Sequence, residues 1–180
     1  MRRARCPGGA YGVPVTSLKL RHSVRAIVLD AEDRVLLCRF LLREPSGAVV
    51  LWAAPGGGVA PGEGPLDALR RELREEVGLA PVGGDPPHVW HQEVVRPGMS
   101  RGYDGVVNDY YLVRTAAFVP RGELTDEELA AENITGTRWW RAPEIVGYRG
   151  PDLFAPRDLG TPLTALLTGG VPERPVRLGL

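Results

Sequence analysis

Glu72, Glu75 and Glu76 fall close together in a stretch of helix-forming residues. At i, i+3 and i+4 of a helix they share one face. Like charges at that spacing repel by about 0.2–0.5 kcal/mol per pair. Glu75 and Glu76 also sit in the last turn before Gly78, where the helix dipole is negative and a carboxylate costs about 0.3–1 kcal/mol. Arg71 and Arg74 are close enough to compensate part of this. The ordinary account is a solvated Glu/Arg face. The alternative is a divalent cation, because hard oxygen donors at high local negative charge are what Mg²⁺ or Mn²⁺ binds. Just upstream, Pro55 to Gly64 holds five glycines, which let backbone come close to a metal or a phosphate. Gly56-Gly57-Gly58 is not a P-loop, since no Gly-Lys-Ser/Thr follows.

The element that must position these acids is legible from its ends. Pro65 suits a first helical position, and Gly78 suits the left-handed position beyond a last one. Between them Leu66, Leu69, Leu73 and Val77 recur every three or four residues, one apolar stripe for a core. Around this helix the pattern predicts strands. His22–Leu29 and Val35–Leu42 read as a hairpin across the Asp30–Asp33 turn, and Val49–Ala53 as a short strand. Further strands are expected at His88–Val95, Val106–Thr115 and Arg138–Arg141, with Pro97–Gly105 as a polar loop. Glu123–Glu132 reads as an acidic segment with a short helix, Pro143 opens a helical turn, and Thr161–Leu167 is amphipathic. One long helix among many short strands predicts α+β, a mixed sheet packed by helices.

The chain has 180 residues, enough for one domain with short tails. Residues 1–20 read as a tail or strap, 21–168 as the domain, and 169–180 as a second Pro/Gly-rich tail. Net charge is zero, which argues against a dedicated nucleic-acid binder and against docking on an anionic membrane. No run reaches the roughly 20 apolar residues of a membrane-spanning helix. Arg2, Arg3 and Arg5 are not followed by an apolar stretch, so no signal peptide is expected and the cytoplasm is the expected location. Cys6 and Cys38 allow no disulfide framework or zinc pattern, and Cys38 reads as a small core residue. Lys19 is the one lysine among 22 basic residues. Arginine has GC-rich codons, an ordinary explanation of that bias, so scattered arginines are given no weight as phosphate readers.

Gly57, Glu63, then Arg71-Glu72-Leu73-Arg74-Glu75-Glu76-Val77-Gly78-Leu79 resembles the signature box of the Nudix hydrolases at every specified position. Leu51-Trp52-Ala53-Ala54-Pro55-Gly56-Gly57-Gly58 is similar to the strand and loop that lead into it. The resemblance implies the Nudix α/β/α sandwich, with a mixed sheet between helices. It implies hydrolysis of a nucleoside diphosphate linked to another moiety, X, with Mg²⁺ or Mn²⁺ as cofactor. It makes Glu72 and Glu76 the main metal ligands, Glu75 a further ligand or base, and the carbonyl of Gly56 another ligand. Arg71 would orient the carboxylates. Glu63, Gly57 and Gly78 would be structural, with Glu63 tying loop to helix. Small-molecule nucleotides are the implied partners, and a homodimer is a candidate assembly.

Two other classes are weighed against this one. A Nudix-fold nucleotide-binding or regulatory module would usually lose box carboxylates, and Glu72, Glu75 and Glu76 are all present. Isomerisation of an isoprenoid diphosphate goes with a divergent box and a catalytic cysteine, unlike the intact box and core-like Cys38. Pro97 departs in spacing from the proline that marks ADP-ribose hydrolases. Nucleoside triphosphates, nucleotide sugars and dinucleoside polyphosphates therefore stay open.

Outside the box, Arg25 and Arg39 lie on predicted strands and, with Gly57 and Gly58, are candidates for substrate phosphate. Glu127, Glu128 and Glu132 precede the Arg138–Arg141 strand, where several Nudix hydrolases place a mobile catalytic loop. Glu132 is chosen as a catalytic base from that loop because it is closest to the strand and precedes Asn133. Trp90, Trp139 and Trp140 are expected to pack in or beside the core. His22, His88 and His91 read as surface or strand residues. The spacing of His88 and His91 lacks the two- or four-residue interval that would aim both at one metal.

Overall fold

The computed structural model describes residues 18–45, 47–80, 84–100 and 102–179, without the side chains of Glu44 and of residues 97–100. Cys6, Arg2, Arg3, Arg5 and most of the expected N-terminal strap lie outside the described residues. The elements are β1 (Leu20–Leu29), β2 (Val35–Glu44), β3 (Gly47–Ala53), α1 (Pro65–Val77), β4 (His88–Ser100) and β5 (Tyr103–Arg114). They continue with α2 (Asp126–Ala131), β6 (Ile134–Trp140), α3 (Ala142–Val146), β7 (Leu153–Ala155), α4 (Gly160–Gly169) and β8 (Val176–Leu178). The strands order as β7-β3-β2-β1-β5-β4-β8, with β6 on β2. β1 runs parallel to β5, β3 to β7, and β4 to β8. The sheet is therefore mixed, as an α+β architecture requires.

Alternation along the strands divides the core into two layers. Val24, Ala26 and Val28 of β1, with Leu36 and Cys38 of β2, face Ala68, Leu69, Leu73 and Val77 of α1. Ile27, Leu29, Val35 and Leu37 face the other way, onto Ala142 and Ile145 of α3 and Leu159, Leu163 and Leu166 of α4. Both faces of β1 and β2 are covered, so these strands carry near-continuous apolar runs. The sheet lies between helices, the sandwich the box resemblance implies. Trp90 and Trp140 are buried in the α4-side layer. Trp139 packs edge-on against Phe118 and donates its Nε1–H to the Phe118 carbonyl.

Three sequence expectations are corrected. Pro97–Gly105 is not a loop: β4 runs to Ser100 and β5 starts at Tyr103, paired across a turn where Gly102 takes φ 79°. Pro97 is accommodated because the pairing is irregular between Val95 and Ser100, so no ladder bond is asked of it. The second Pro/Gly-rich tail carries a short strand, since β8 adds to the free edge of β4. The strand expected at Arg138–Arg141 begins earlier, at Ile134, and Arg141 is instead the N-cap of α3.

Candidate active site

α1 starts and stops as its terminal residues require. Pro65 occupies the first turn. Gly78 takes φ 73° and donates its N–H to the Arg74 carbonyl, while the Leu79 N–H donates to that of Leu73. Leu69, Leu73 and Val77 are fully buried, each contributing about 1.5–3 kcal/mol. That exceeds the few tenths of a kcal/mol by which adjacent acids repel, so the stripe holds the glutamates in place. Glu72 and Glu76 are 8% and 4% exposed. They are not on a solvated face, and the ordinary account of the cluster fails on this observation.

Arg71 is the hub of the site. Its Nε–H donates to Glu63 at 2.9 Å, its Nη1 to Glu72 at 2.8 Å and Glu75 at 3.1 Å, and its Nη2 to the Gly58 carbonyl at 3.1 Å. Glu63 also accepts from the Ala60 N–H at 3.0 Å. Arg71 and Glu63 thus pin the glycine loop onto α1. Arg71 pulls the Glu63 carboxyl down to about 2, and the same ion pair holds the Arg71 guanidinium more firmly protonated than usual. Arg74, expected to share this compensation, pairs instead with Glu123 at 3.2 Å.

The loop is fastened at a second point. The Gly56 N–H donates to Glu76 at 2.8 Å. The Gly56 carbonyl accepts from Arg25 at 2.5 Å, and Ala54 accepts from the same nitrogen at 3.2 Å. Arg25 is therefore committed to the backbone of the loop and lies in the field of Glu76. At Gly57 the Glu72 carboxylate fills the space a side chain would need: an added Cβ would lie 2.5 Å from its Oε1. Gly58 similarly abuts the Arg21 guanidinium. Arg39 does not join the carboxylates in the described contacts. It donates to Thr135 on β6 at 2.8 Å.

The third carboxylate comes from a distant part of the chain. Thr125 and Glu128 form a reciprocal capping box that starts α2. Glu128 is thereby used up in structure. Glu132 ends the helix, and Asn133 at φ 66° turns the chain into β6. The oxygens of Glu72, Glu76 and Glu132 all lie within 4.8 Å of one another. Glu127 and Glu128 are not part of this group.

Burial raises the Glu72 carboxyl and lifts Glu76 to about 7; the charge of Glu132 adds to both shifts. In the described contacts Glu63, Glu72, Glu75, Glu76 and Glu132 meet two guanidinium groups, Arg71 and Arg25. The local charge is negative, and the donors are hard oxygens on two separate segments. This set fits a divalent cation of the Mg²⁺ or Mn²⁺ class.

A family model for the NUDIX domain matches residues 19–159. The chain belongs to the Nudix family of hydrolases. It is 32% identical over 123 residues to an RNA pyrophosphohydrolase of Bartonella henselae, a match spanning 63% of this chain and 68% of that one. It is 37% identical over 78 residues to the 8-oxo-dGDP phosphatase NUDT18 of Homo sapiens, across 41% of this chain and 23% of the human protein. The solution structure of the E. coli ORF135 protein superposes with a TM-score of 0.61 at 24% identity, covering 90% of this chain and all of that one. At that identity the likeness speaks for the Nudix fold alone. In this Nudix domain no helix among the described residues is long and apolar enough to cross a membrane.

The Arg71–Glu63 contact yields a testable expectation. Glu63→Gln lowers the thermal midpoint and part of the activity, since the loop loses its charged tie to α1. Because Arg71 depresses the Glu63 carboxyl, its contribution is complete above pH 4.5 and fades as pH falls toward about 2. Thermal melts and initial rates of the variant at neutral pH check this. Unchanged stability with abolished activity would move Glu63 into the catalytic set.

Proposed function

We propose that this chain hydrolyses a diphosphate linkage in a nucleoside diphosphate joined to another moiety, X, with Mg²⁺ or Mn²⁺ held by Glu72 and Glu76. The observation that carries this reading is the convergence of two buried box carboxylates with Glu132. A divalent cation, when bound there, neutralises the diphosphate and acidifies the attacking water. The protein does the rest. Glu132 accepts the water proton as the P–O bond forms, and the leaving phosphate departs as the bridging bond breaks. Arg71 keeps Glu72 and Glu75 oriented. Gly57 leaves room for the Glu72 carboxylate, and the Gly56 carbonyl, which accepts from Arg25, keeps a second lone pair as a further oxygen donor. A binding module would have no need for three converging carboxylates, two of them buried at a cost in desolvation.

The relatives' names point to RNA and to 8-oxo-dGDP. With zero net charge this chain lacks the basic field that draws long nucleic acids, so free nucleotides are the proposed substrates and the cytoplasm the proposed location. EDTA abolishes turnover, and Mg²⁺ or Mn²⁺ restores it. A panel of nucleoside triphosphates, 8-oxo-dGDP, ADP-ribose, nucleotide sugars, dinucleoside polyphosphates and an RNA with a 5′-triphosphate, with the products separated by chromatography, checks both points. Full turnover in chelator would refute the metal mechanism, and preference for the RNA would refute the substrate assignment.

A further inference from the structure

We propose that His88, His91 and Asp109 form a second metal site, for a borderline transition-metal ion such as Zn²⁺, that shares no residue with the carboxylate centre of α1. The two histidines would face opposite ways on a regular strand. A bulge changes this: β4 advances from His88 to Trp90 while β5 moves one residue, from Tyr111 to Tyr110. Val89 and Trp90 both turn into the α4-side core. His88 and His91 are left together on the opposite face, where Asp109, the β5 partner of His91, joins them.

The three ligand atoms lie within 4.8 Å of one another. His91 Nδ1 is 2.7 Å and His88 Nε2 is 3.1 Å from the same Asp109 oxygen. Donors around a tetrahedral Zn²⁺ stand about 3.3 Å apart at its usual bond lengths, so the group needs to open by a few tenths of an ångström. The Trp90 carbonyl lies 2.9 Å from His88 Nε2. One ring N–H is thus offered to two oxygens, while one carboxylate oxygen serves two rings. A cation held by His88 Nε2, His91 Nδ1 and Asp109 replaces the ring protons at those atoms, and the Trp90 carbonyl stands close enough to be a fourth ligand. Tyr111 stacks on the His88 ring at 4.9 Å between centroids and fixes its plane. All three side chains are between 23% and 31% exposed, and an open hollow of about 250 Å³ lined by His91, Glu93, Arg177 and Leu178 lies beside His91. Two imidazoles and one carboxylate favour Zn²⁺ over Mg²⁺, which takes oxygen donors.

The test is calorimetric titration of the full chain with Zn²⁺ in saturating Mg²⁺, which occupies the carboxylate centre. One equivalent of Zn²⁺ binds to wild type and to Glu72→Gln, and raises the thermal midpoint of both. His91→Ala weakens binding by at least about 100-fold, beyond the 10–100-fold that outer partners of a ligand cost, and removes the midpoint shift. His88→Gln serves as a second variant, so the result does not depend on one substitution folding, and circular dichroism confirms each fold. Co²⁺ gives the wild type a visible absorption band that both histidine variants lack. Absence of Zn²⁺ binding by wild type, wild-type affinity in both histidine variants, or loss of binding in Glu72→Gln would each overturn the proposal.

Discussion

Glu76→Gln lowers kcat by at least about 100-fold, because even outer partners of a metal ligand cost about 10–100-fold, and it stabilises the metal-free protein. Both effects have one origin. Burial lifts the Glu76 carboxyl from its ordinary 4.5 to about 7. Between those values the folded protein keeps a proton that the unfolded chain has released. Stability of the metal-free protein therefore falls as pH rises through that window. A shift of this size corresponds to about 3 kcal/mol once pH exceeds the folded value. Glu72 is raised in the same direction and adds to the slope. Glu63 is depressed, so its contribution is constant above 4.5 and leaves the slope alone. A divalent cation favours the ionised carboxylates, so Mg²⁺ restores stability most at the alkaline end. Urea unfolding between about pH 5 and 8, in EDTA and in Mg²⁺, measures all of this. Glu76→Gln flattens the EDTA slope while abolishing turnover. A variant that unfolds, or one that keeps the wild-type slope, would contradict the account.

Glu132→Gln lowers kcat about 10²–10⁴-fold, the span for loss of a general base, and leaves the Mg²⁺ concentration for half-activation unchanged. Glu75 is the competing base. The geometry favours Glu132: Glu75 already accepts from Arg71 at 3.1 Å, whereas among the described residues the Glu132 carboxylate accepts no hydrogen bond and sits with Glu72 and Glu76. Single-turnover rates of Glu132→Gln and Glu75→Gln at saturating Mg²⁺ decide between them. A Glu132→Gln rate within about threefold of wild type, against the loss expected for a base, assigns the proton to Glu75. A rate that recovers with excess Mg²⁺ makes Glu132 a ligand rather than the base.

What the sequence determined by itself was whatever is encoded within one or two turns of chain. Pro65, Gly78 and the Leu66–Val77 stripe specify α1 because capping and a 3.6-residue period are local. The same period puts Glu72, Glu75 and Glu76 beside that stripe, and the box resemblance makes Glu63 a tie between loop and helix, although only the structure gives Arg71 as its partner. The apolar runs of β1 and β2 mark strands covered on both faces. The rest was decided by contacts between segments distant in the chain. Glu132 reaches Glu72 and Glu76 because β6 pairs with β2, a partner choice that no local pattern states. Arg25 is turned to the carbonyls of Ala54 and Gly56 by the loop lying over β1, although the strand pattern alone leaves it free for a phosphate. The β4–β5 hairpin extends through Pro97 because a strand's length depends on its partner's register. His88 and His91 share a face because burying both Val89 and Trp90 in one core layer forces a bulge. A period of two cannot foresee that shift, since it comes from side-chain packing across the sheet.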